Sequence, residues 1–582
     1  MTTTESRTSS SDGLEIGQSR RRKEDEHLIT GRTRWTDNIV LPGMLHAAIL
    51  RSPFSHARIT GIDVEEAKKM PGIIAVYTGA DLAEEQGSLP CAWPITEDQL
   101  APPAPSLAVD TVNFAGEAVA VVVARTTYEA HDALDVIDVE YEDLPVVLDL
   151  ADAAADTELV HPDLGTNRSA TWTFDSAEAG SGGNVEDAIR DAEVLVERTF
   201  RQQRLIPAFM EPRSVVVDPT ATQITMWSAT QVPHILRLML AMSLGIPEHK
   251  LRVIAPDVGG GFGGKLQVTP EEVLTLLIAR RLHKPVKYTE SRSESMVAAH
   301  HGRDQIQKLT LAARRDGTVT GFKVELLADM GAYLRLVTSG VPILGAFMFS
   351  GIYKFDSYHF TCTNVFTNKV PTDAYRGAGR PEATFAIERM MDELAVELSM
   401  DPLEIREKNW IKHEEFPFDS VAGLTYDSGN YEAATAKARE LFDYDACGAS
   451  RRNVANRTIP CNSASGCRPS PRCAVSLRRG YSDRCRTGPA GEHAAVRMLP
   501  TGKVEVVTGS SSHGQGHETP GARSSPISSE FRSTTSRSCT ATPSRRPADS
   551  IRTGRAHLPS AASPWSRQPR RWSRRPARSR RT

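Results

Sequence analysis

Residues 251–282 read LRVIAPDVGGGFGGKLQVTPEEVLTLLIARRL, a stretch that decides the fold because it joins a strand, a glycine loop and a helix. Phe262 is the one bulky residue among five glycines. The Thr269-Pro270 pair predicts that the helix begins after the loop and not on its last glycine. We therefore expect a loop whose backbone can approach a large rigid ligand closely.

Two nucleotide-binding patterns overlap this glycine loop. Gly259, Gly261 and Gly264 satisfy G-x-G-x-x-G, and the Gly264-Lys265 pair satisfies the phosphate-loop pattern except at its last position, which is Leu266. Leucine cannot supply the hydroxyl that holds magnesium, and no helix N-terminus points into the loop. A nucleotide site is therefore disfavoured, while a purely structural glycine turn stays open as an alternative.

A second loop, AYRGAGR at residues 374–380, leads into PEATFAIERMMDELAVELSM, the clearest predicted helix of the chain, starting at Pro381. Two arginines beside two glycines at a helix N-terminus suit a phosphate or another oxyanion. A surface salt-bridge loop is an equal alternative from these residues alone.

A third loop, SSSHGQGHET at residues 510–519, places His513, Gln515, His517 and Glu518 on a tight glycine turn. A zinc site would need a third ligand at a useful spacing, and none is present, so no separate metal site is predicted.

The first part of the chain reads as a small mixed α/β domain that closes near residue 150. It has a short helical stretch at Val64–Met70, a strand at Ala118–Ala124 and a helix at Thr127–Val136. The Ala/Asp-rich stretch Asp149–Thr157 and the cluster Gly180–Gly183 are interpreted as connectors. Beyond them, strands and helices alternate on a large scale, which indicates an α+β fold.

Charge and cysteine are distributed unevenly. Residues 1–446 contain 43 Lys and Arg against 66 Asp and Glu, although the whole chain has a formal net charge of only −3. A nucleic-acid-binding function is disfavoured, because this acidic body would repel phosphate and only the residues beyond 446 could attract it. A non-catalytic remnant or a basic-tailed binding protein stays open as the alternative. The two cysteines of the acidic body, Cys91 and Cys362, cannot form a disulfide framework, and the polar first eighteen residues lack a secretory signal. We expect no transmembrane segment and a cytoplasmic location.

The chain changes character beyond residue 446. Residues 447–487 contain nine Arg, no Lys and one acidic residue, and residues 519–582 contain fifteen Arg, no Lys and two acidic residues. Between them lies an ordinary stretch with a predicted strand at Val504–Val507. Our hypothesis is a reading-frame disruption near residue 446, restored near 488, and another near 519. A natural disordered basic tail is the alternative.

The three loops, in this order, resemble the molybdopterin-binding large subunit of the molybdenum hydroxylases, the family of xanthine dehydrogenase, aldehyde oxidase and carbon monoxide dehydrogenase. The stretch RRKEDEHLITGRTRWTDNIVLPGMLHAAILRSPFSHARI near the N-terminus resembles the opening hammerhead domain of that family. The resemblance covers about residues 20–446 and 488–519. It implies an α+β fold in which an α/β hammerhead domain precedes a molybdopterin-binding domain and an incomplete second one. The expected boundaries are a disordered leader at 1–22, the hammerhead at 23–150, the cofactor domains at 165–420 and 421–519, and a disordered tail at 520–582.

The resemblance also implies residue roles. Gln231 would donate a hydrogen bond to the oxo ligand of molybdenum, and Phe262 would pack against the metal's ligands. Arg376 would belong to the active-site loop, and Gln515 would hold the pterin. The remaining cofactor-binding candidates are loop residues: Gly260, Gly261, Gly263, Gly377, Ala378 and Gly516. Lys265 and Arg380 would lie near phosphate or at the loop rim.

Two departures from the family pattern bear on activity. Carbon monoxide dehydrogenases carry a copper-binding cysteine in the arginine loop, whereas residues 376–380 are RGAGR here. The acidic residue expected after the lysine in purine-oxidising relatives is Leu266. An aldehyde or an N-heterocycle is therefore the expected substrate. The catalytic glutamate of a Gly-x-Gly-Glu turn is not found after Thr519, so we expect this chain to be inactive as written.

The cofactor and partners follow from the same resemblance. We expect a molybdopterin cofactor, in its cytosine dinucleotide form if the protein is bacterial. The chain has no iron–sulfur cysteine pattern and no flavin motif, so an iron–sulfur small subunit and an FAD-binding medium subunit are the expected partners. The expected assembly is a dimer of heterotrimers.

Overall fold

A computed structural model describes residues 19, 21–220, 222–444, 494–498, 500, 504–508, 512–519 and 536–539. The predicted leader and tail and the arginine-rich residues 447–487 lie almost wholly outside these ranges. The internal contacts divide the chain into two units, and the smaller one, Asn462–Gly491 with Arg546–Thr582, lies entirely outside the described residues.

Twenty strands lie within the described residues. In chain order they are β1 Leu45–Arg51, β2 Ala57–Asp63, β3 Ile73–Thr78, β4 Thr111–Val112, β5 Ala118–Ala124, β6 Asp138–Asp143, β7 Arg168–Asp175, β8 Val194–Leu205, β9 Ser214–Asp218, β10 Ile224–Ser228, β11 Leu251–Ile254, β12 Val286–Thr289, β13 Gly302–Ala313, β14 Val319–Gly331, β15 Ser357–Phe366, β16 Phe418–Asp419, β17 Thr425–Tyr426, β18 Ala494–Met498, β19 Val504–Thr508 and β20 Ser536–Cys539.

The α-helices of the same ranges are mostly short. They are α1 Asp25–Ile29, α2 Glu65–Lys69, α3 Gly79–Leu82, α4 Thr127–Asp132, α5 Leu150–Ala154, α6 Ser176–Ala179, α7 Val185–Arg190, α8 Pro233–Ser243, α9 Pro270–Leu282, α10 Arg292–Ala298, α11 Gly340–Ile343, α12 Arg380–Leu398, α13 Pro402–Asn409 and α14 Tyr431–Phe442. None of the described helices is long and apolar enough to cross a membrane.

One sheet has seven strands in the order β11-β10-β9-β12-β1-β5-β3. It includes strands of the predicted hammerhead domain and of the predicted first cofactor domain. The join is the parallel pairing of β1 with β12, in which Leu45 lies opposite Val286. Strand β5, with the sequence AVAVVVA, is buried at every residue because it lies between β1 and β3. The sheet thus continues across residue 150, where the sequence suggested that a domain closes.

The second large sheet has the order β7-β15-β14-β13-β8. Strands β13 and β14 form a long antiparallel pair, and β15 joins β14 in parallel. Helix α12 packs against β8 and β13 through its buried face, which includes Ala386, Met390 and Leu394. This packing fixes the start of α12, and with it the arginine loop that precedes the helix.

The structure confirms most of the predicted elements. The strand at Ala118–Ala124 has the predicted bounds, α2 lies inside Val64–Met70, and β19 covers the predicted strand at Val504–Val507. Helix α9 begins at Pro270, where Thr269 caps it by accepting a hydrogen bond from Glu272 N.

One prediction was wrong. The Ala/Asp-rich stretch Asp149–Thr157, interpreted as a connector, contains helix α5. The Asp149 side chain accepts hydrogen bonds from Ala151 N and Asp152 N, while Leu150 and Ala153 are buried. The capping aspartate and the burial of one apolar face together stabilise a helix that composition alone does not reveal.

Candidate functional site

The carboxamide of Gln231 lies in the segment between β10 and α8, where it meets the glycine loop. Its Oε1 accepts hydrogen bonds from Gly263 N (2.9 Å) and Lys265 N (3.2 Å), and its own backbone N–H donates to Lys265 O (2.9 Å). These contacts determine the orientation of the amide, because only the oxygen can accept. The Nε2 is therefore the donor end, and it lies 3.3 Å from His513 Nε2.

The glycine loop, defined as Gly259–Lys265, is packed tightly against the protein itself. A Cβ on Gly261 would lie 2.4 Å from Gln231 Oε1, and one on Gly263 would lie 2.1 Å from Ala374 O. Gly263 also has a φ of +95°. The nearest groups at these two positions belong to the chain itself, so any larger residue is excluded there.

Phe262 projects from this loop. Its φ of +53° lies in the left-handed region, which is unusual for an aromatic residue, and its side chain is 39% exposed. Backbone strain of this kind persists only where the surrounding structure enforces it, and it is concentrated at functional sites. The loop therefore presents one large apolar side chain next to the Gln231 amide.

The arginine loop is joined directly to the glycine loop. Arg376 N donates a hydrogen bond to Phe262 O (2.9 Å), and the Arg376 side chain is exposed. The side chain of Arg303 supports the arginine loop. It donates to Arg376 O (2.7 Å) and forms an ion pair with buried Glu382 (3.0 Å). Two loops more than a hundred residues apart thus form one continuous surface.

The start of α12 lies at the edge of that surface. Gly377, Ala378 and Gly379 all have positive φ (+102°, +40° and +83°), and the helix begins at Arg380. Arg380 donates to Gly377 O (3.2 Å), which braces the turn. Two backbone N–H groups of this turn are used within the chain, since Ala378 N donates to Tyr375 O (2.7 Å) and Arg380 N donates to Gly377 O (3.2 Å). The start of a helix nevertheless favours an anion.

The third loop reaches the same place through His513. Gln515 Oε1 accepts a hydrogen bond from His513 N (2.8 Å), so Gln515 Nε2 is the donor to His513 Nε2 (2.8 Å). The imidazole nitrogen therefore accepts from Gln515 and from Gln231, and it connects two amides that are 284 residues apart in the sequence.

The N-terminal segment holds this third loop from the other side. Buried Glu24 accepts hydrogen bonds from Thr519 N (3.1 Å) and Thr519 Oγ1 (2.7 Å), and Lys23 N donates to the same hydroxyl (2.8 Å). The guanidinium of Arg22 lies beside Gly516. Arg22, which the sequence analysis places in the leader, thus lies against the third loop.

The structure brings the predicted site residues together, with one exception. Gln231, Phe262 and Arg376 are linked by direct hydrogen bonds between their loops, and Gln515 joins them through His513. Lys265 was expected near a phosphate or at the loop rim. Its side chain is instead 0% exposed and forms an ion pair with Glu211 (2.7 Å), so it cannot reach a ligand.

Burial sets the ionisation of the groups behind these loops. Desolvation lowers the pKa of Lys265, although its partner Glu211 opposes the shift. Burial likewise raises the pKa of Asp373 to about 6 and lowers the pKa of His300, whose Nε2 contacts Ala374 O, to about 4. Paired or neutral groups thus support the arginine loop from inside.

Sequence reasoning missed three residues of this arrangement: Glu24, Glu211 and the connecting role of His513. The first two are ordinary acidic residues in the sequence, and nothing local distinguishes them from exposed ones. His513 was noticed only as a possible metal ligand. Its closeness to Gln515 was visible in the His-Gly-Gln spacing, but its contact with Gln231 was not.

Comparison with known protein families agrees with this geometry. Residues 160–410 match the model of the molybdopterin cofactor-binding domain, and residues 30–145 match that of the aldehyde oxidase and xanthine dehydrogenase a/b hammerhead domain. The fold and the three joined loops define a molybdopterin-binding large subunit. The chain belongs to the molybdenum hydroxylase large-subunit family.

Individual relatives are about one third identical to this chain over most of its length. The chain is 33% identical to the nicotine 6-hydroxylase large subunit of Paenarthrobacter nicotinovorans over 87% of its length. It is 35% identical to the carbon monoxide dehydrogenase large chain of Hydrogenophaga pseudoflava over 85%. The crystal structure of quinoline 2-oxidoreductase from Pseudomonas putida 86 superposes with a TM-score of 0.75, at 33% identity and over 87% of this chain. The chain spans 61%, 63% and 64% of these three proteins, respectively.

Proposed function

We propose that this chain is the molybdenum-cofactor-binding part of an enzyme that hydroxylates an N-heterocycle or an aldehyde. Water supplies the oxygen, so that R–H and H2O give R–OH, two protons and two electrons. The observation that carries the proposal is the fixed Gln231 amide, whose Oε1 is occupied by two backbone N–H groups. Its Nε2 is a neutral donor that contacts His513 Nε2 (3.3 Å) and has a second N–H left for a ligand.

The residues present fit an anionic pterin–metal group. Such a group needs neutral donors and close backbone amides to compensate its charge without tying it to a rigid counter-ion. The amides of Gln231 and Gln515 supply neutral donors, and the turn at Gly377–Gly379 places the start of α12 at the edge of the site. Arg376 is the exposed cation of the site.

Each residue would then have a distinct task. Gln231 Nε2 would donate to the oxygen ligand, Phe262 would exclude water from the reacting face, and Gln515 would hold the pterin. Arg376 and the start of α12 would bind the anionic edge of the cofactor or substrate. The bound cofactor supplies the oxygen transfer and accepts the two electrons.

Two relatives favour a heterocyclic substrate over carbon monoxide, since nicotine and quinoline are both N-heterocycles. The loop at residues 376–380 has no cysteine, and Cys362 is buried in β15. A copper-dependent oxidation of carbon monoxide therefore lacks its thiolate in the described part of the site, despite the 35% identity to a carbon monoxide dehydrogenase.

The finer assignments extend the same proposal. The cofactor is the cytosine dinucleotide form of molybdopterin, and electrons leave through an iron–sulfur subunit and an FAD-binding subunit in a cytoplasmic dimer of heterotrimers. The printed sequence has no Gly-x-Gly-Glu turn after Thr519, so no residue is assigned as the proton acceptor. We expect the chain by itself to turn over little or no substrate, and a non-catalytic remnant with a basic tail is the alternative function.

The experiment is to purify the full chain from a host that makes molybdenum cofactor, then to measure molybdenum and pterin content per chain. Oxidation of quinoline, nicotinate and benzaldehyde is assayed with an artificial electron acceptor. We expect bound pterin and molybdenum with little turnover. Absence of pterin would contradict the cofactor proposal, and turnover equal to that of an intact relative would contradict the inactivity.

The hypothesis of a reading-frame disruption beyond residue 446 is tested separately. Sequencing the gene from codon 440 to the end, with translation in all three frames, should recover family-like sequence in another frame over 447–487 and beyond 519. A single open frame with no such sequence would favour the natural basic tail.

A further inference from the structure

Glu211 lies between β8 and β9 and contacts both ends of the glycine loop. Its Oε2 accepts a hydrogen bond from Gly259 N (2.7 Å) and also from Lys265 Nζ (2.7 Å). Its backbone N–H donates to Gly259 O (3.0 Å). One carboxylate oxygen therefore closes the loop from its first residue to its last.

Lys265 connects Glu211 to the Gln231 amide. Its ammonium group is buried, ion-paired with Glu211, and lies 4.9 Å from the centre of the Phe209 ring. Its backbone N–H donates to Gln231 Oε1, and its carbonyl accepts from Gln231 N (2.9 Å). The chain of contacts runs from Glu211 to the Lys265 side chain, then through the Lys265 backbone to the Gln231 amide.

The contact between Lys265 and Glu211 differs from ordinary packing because the Lys265 ammonium group is charged and buried. A buried ammonium without its carboxylate is strongly unfavourable, so without Glu211 the Lys265 side chain would either leave its site or lose its proton. If it left, the backbone of Lys265 would shift, and with it both hydrogen bonds to Gln231. The geometry of the site thus depends on a carboxylate that touches no ligand.

We propose that Glu211 is the positioning residue of the glycine loop, which it closes through Gly259 and Lys265 and thereby holds the Gln231 amide in its orientation. Its importance for cofactor binding rests on the function proposed above, but the loop closure itself does not. Lys265 serves as a structural cation in this arrangement and not as a phosphate ligand, contrary to the similarity of Gly264-Lys265 to a phosphate loop.

The test compares Glu211→Gln with Glu388→Gln in the full chain. Glu388 is a matched control, because it forms an ion pair with Arg406 at the same distance (2.7 Å) and its side chain is 17% exposed against 15% for Glu211. Hydrogen–deuterium exchange is followed in peptides covering residues 256–268, together with the unfolding temperature. Neither measurement needs bound cofactor.

We expect Glu211→Gln to speed exchange in these peptides by about tenfold. Gly259 N loses its carboxylate acceptor, and Gln231 Oε1, the acceptor of Gly263 N and Lys265 N, is no longer held in a fixed position. Glu388→Gln should leave them unchanged even if it lowers the unfolding temperature equally. Unchanged exchange in Glu211→Gln, or equal acceleration in both variants, would overturn the proposal.

Two further variants keep the test decisive. Glu211→Asp retains the charge but shortens the side chain by one methylene, so it should fold and show a smaller acceleration if Glu211→Gln is insoluble. Adding Lys265→Met to Glu211→Gln removes the unpaired ammonium, and it should restore the unfolding temperature without restoring slow exchange at Lys265. Restoration of both would show that Glu211 only neutralises charge, which would overturn its positioning role.

Pterin content is the second readout. It should fall at least about tenfold in Glu211→Gln relative to Glu388→Gln, in line with the loss expected when a residue that orients a cofactor contact is removed. A wild-type chain without pterin would defeat the proposed function, while the exchange comparison would still decide the role of Glu211. Equal pterin content in both variants, with the wild type loaded, would overturn the link from Glu211 to the cofactor.

Discussion

The glycine loop and the Gln515 turn both contribute to the site, but they are held in different ways. The glycine loop is fixed by Gln231 and Glu211, which lie 32 to 54 residues away in the sequence, by the arginine loop through Arg376 N, and by burial of its own Lys265 side chain. The turn at residues 512–519 is fixed through partners 282 and 495 residues away, by exposed or partly buried polar contacts. The first region is preorganised by its own domain, whereas the second depends on docking of distant segments.

The largest effect should come from filling the glycine loop. In Gly263→Ala the new Cβ would lie 2.1 Å from Ala374 O at a φ of +95°. We expect the free energy of unfolding to fall by about 3–5 kcal/mol, measured by urea denaturation.

Gly165→Ala is the control for the Gly263 variant, because Gly165 also has a positive φ (+71°) but nothing lies within 4 Å of its Cβ. It should cost only about 1–2 kcal/mol from backbone strain. Equal losses in both variants would show that the loop is not tightly packed.

The next effect should come from the Gln231 amide. Gln231→Leu removes the acceptor of Gly263 N and Lys265 N and should lower the unfolding free energy by about 2–4 kcal/mol, with loss of bound pterin. Gln231→Glu keeps the acceptor but replaces the donor end by an oxygen. It should retain more stability than Gln231→Leu and still lose pterin, and full pterin retention would contradict the assigned role of Nε2.

A pH-dependent effect is expected at the helix that follows the glycine loop. Burial raises the pKa of Glu272 to about 7 from 4.5, despite hydrogen bonds from Ser228 and Thr269. The folded state therefore binds a proton that the unfolded state releases. The unfolding free energy contributed by this group is highest below pH 4.5, falls as the pH rises to about 7, and is constant above it.

Glu272→Gln tests the direction of this pH dependence of the unfolding free energy, since the glutamine amide stays neutral at every pH. Relative to the wild type, the variant should gain about 1–3 kcal/mol of unfolding free energy between pH 4.5 and 7, read from urea denaturation at several pH values. Exposed Glu404→Gln should show no such gain. A constant difference between Glu272→Gln and the wild type across this pH range would refute the raised pKa.

The smallest effect on global stability should come from the docked turn. Glu24→Ala removes the acceptor of Thr519 N and Oγ1 and should change the unfolding free energy by less than about 1 kcal/mol. Exchange in peptides covering residues 512–519 should nevertheless become several-fold faster. Glu26→Ala, at an exposed residue paired with Arg32, is the control and should leave those peptides unchanged. Unchanged exchange in Glu24→Ala would show that the turn is held by other contacts.

The local elements of the chain could be predicted from sequence because their signals are local. The Thr269-Pro270 start of α9, the apolar run of β5 and the Gly/Arg approach to α12 each depend on a few neighbouring residues. The helix α5 was missed since its stability depends on burying Leu150 and Ala153 against distant strands.

The candidate site shows the same division. The order of the three loops was enough to indicate the family, and the resemblance then selected Phe262, Arg376 and Gln515 in these loops and Gln231 outside them. Contacts between the loops could not be predicted from the sequence. A glutamate such as Glu211 or Glu24 looks the same in the sequence whether its side chain is exposed to water or buried against a polar partner.

The sequence by itself determined which loops this protein has and the class of cofactor they suit, since glycine spacing, helix starts and amide side chains are properties of short segments. Only the tertiary structure decided that the seven-stranded sheet continues past residue 150, that Lys265 is buried against Glu211, and that His513 accepts from both amides. The physical reason is that ion pairing, burial and hydrogen-bond orientation are set by groups brought together from distant parts of the chain, and these distances exist only after folding.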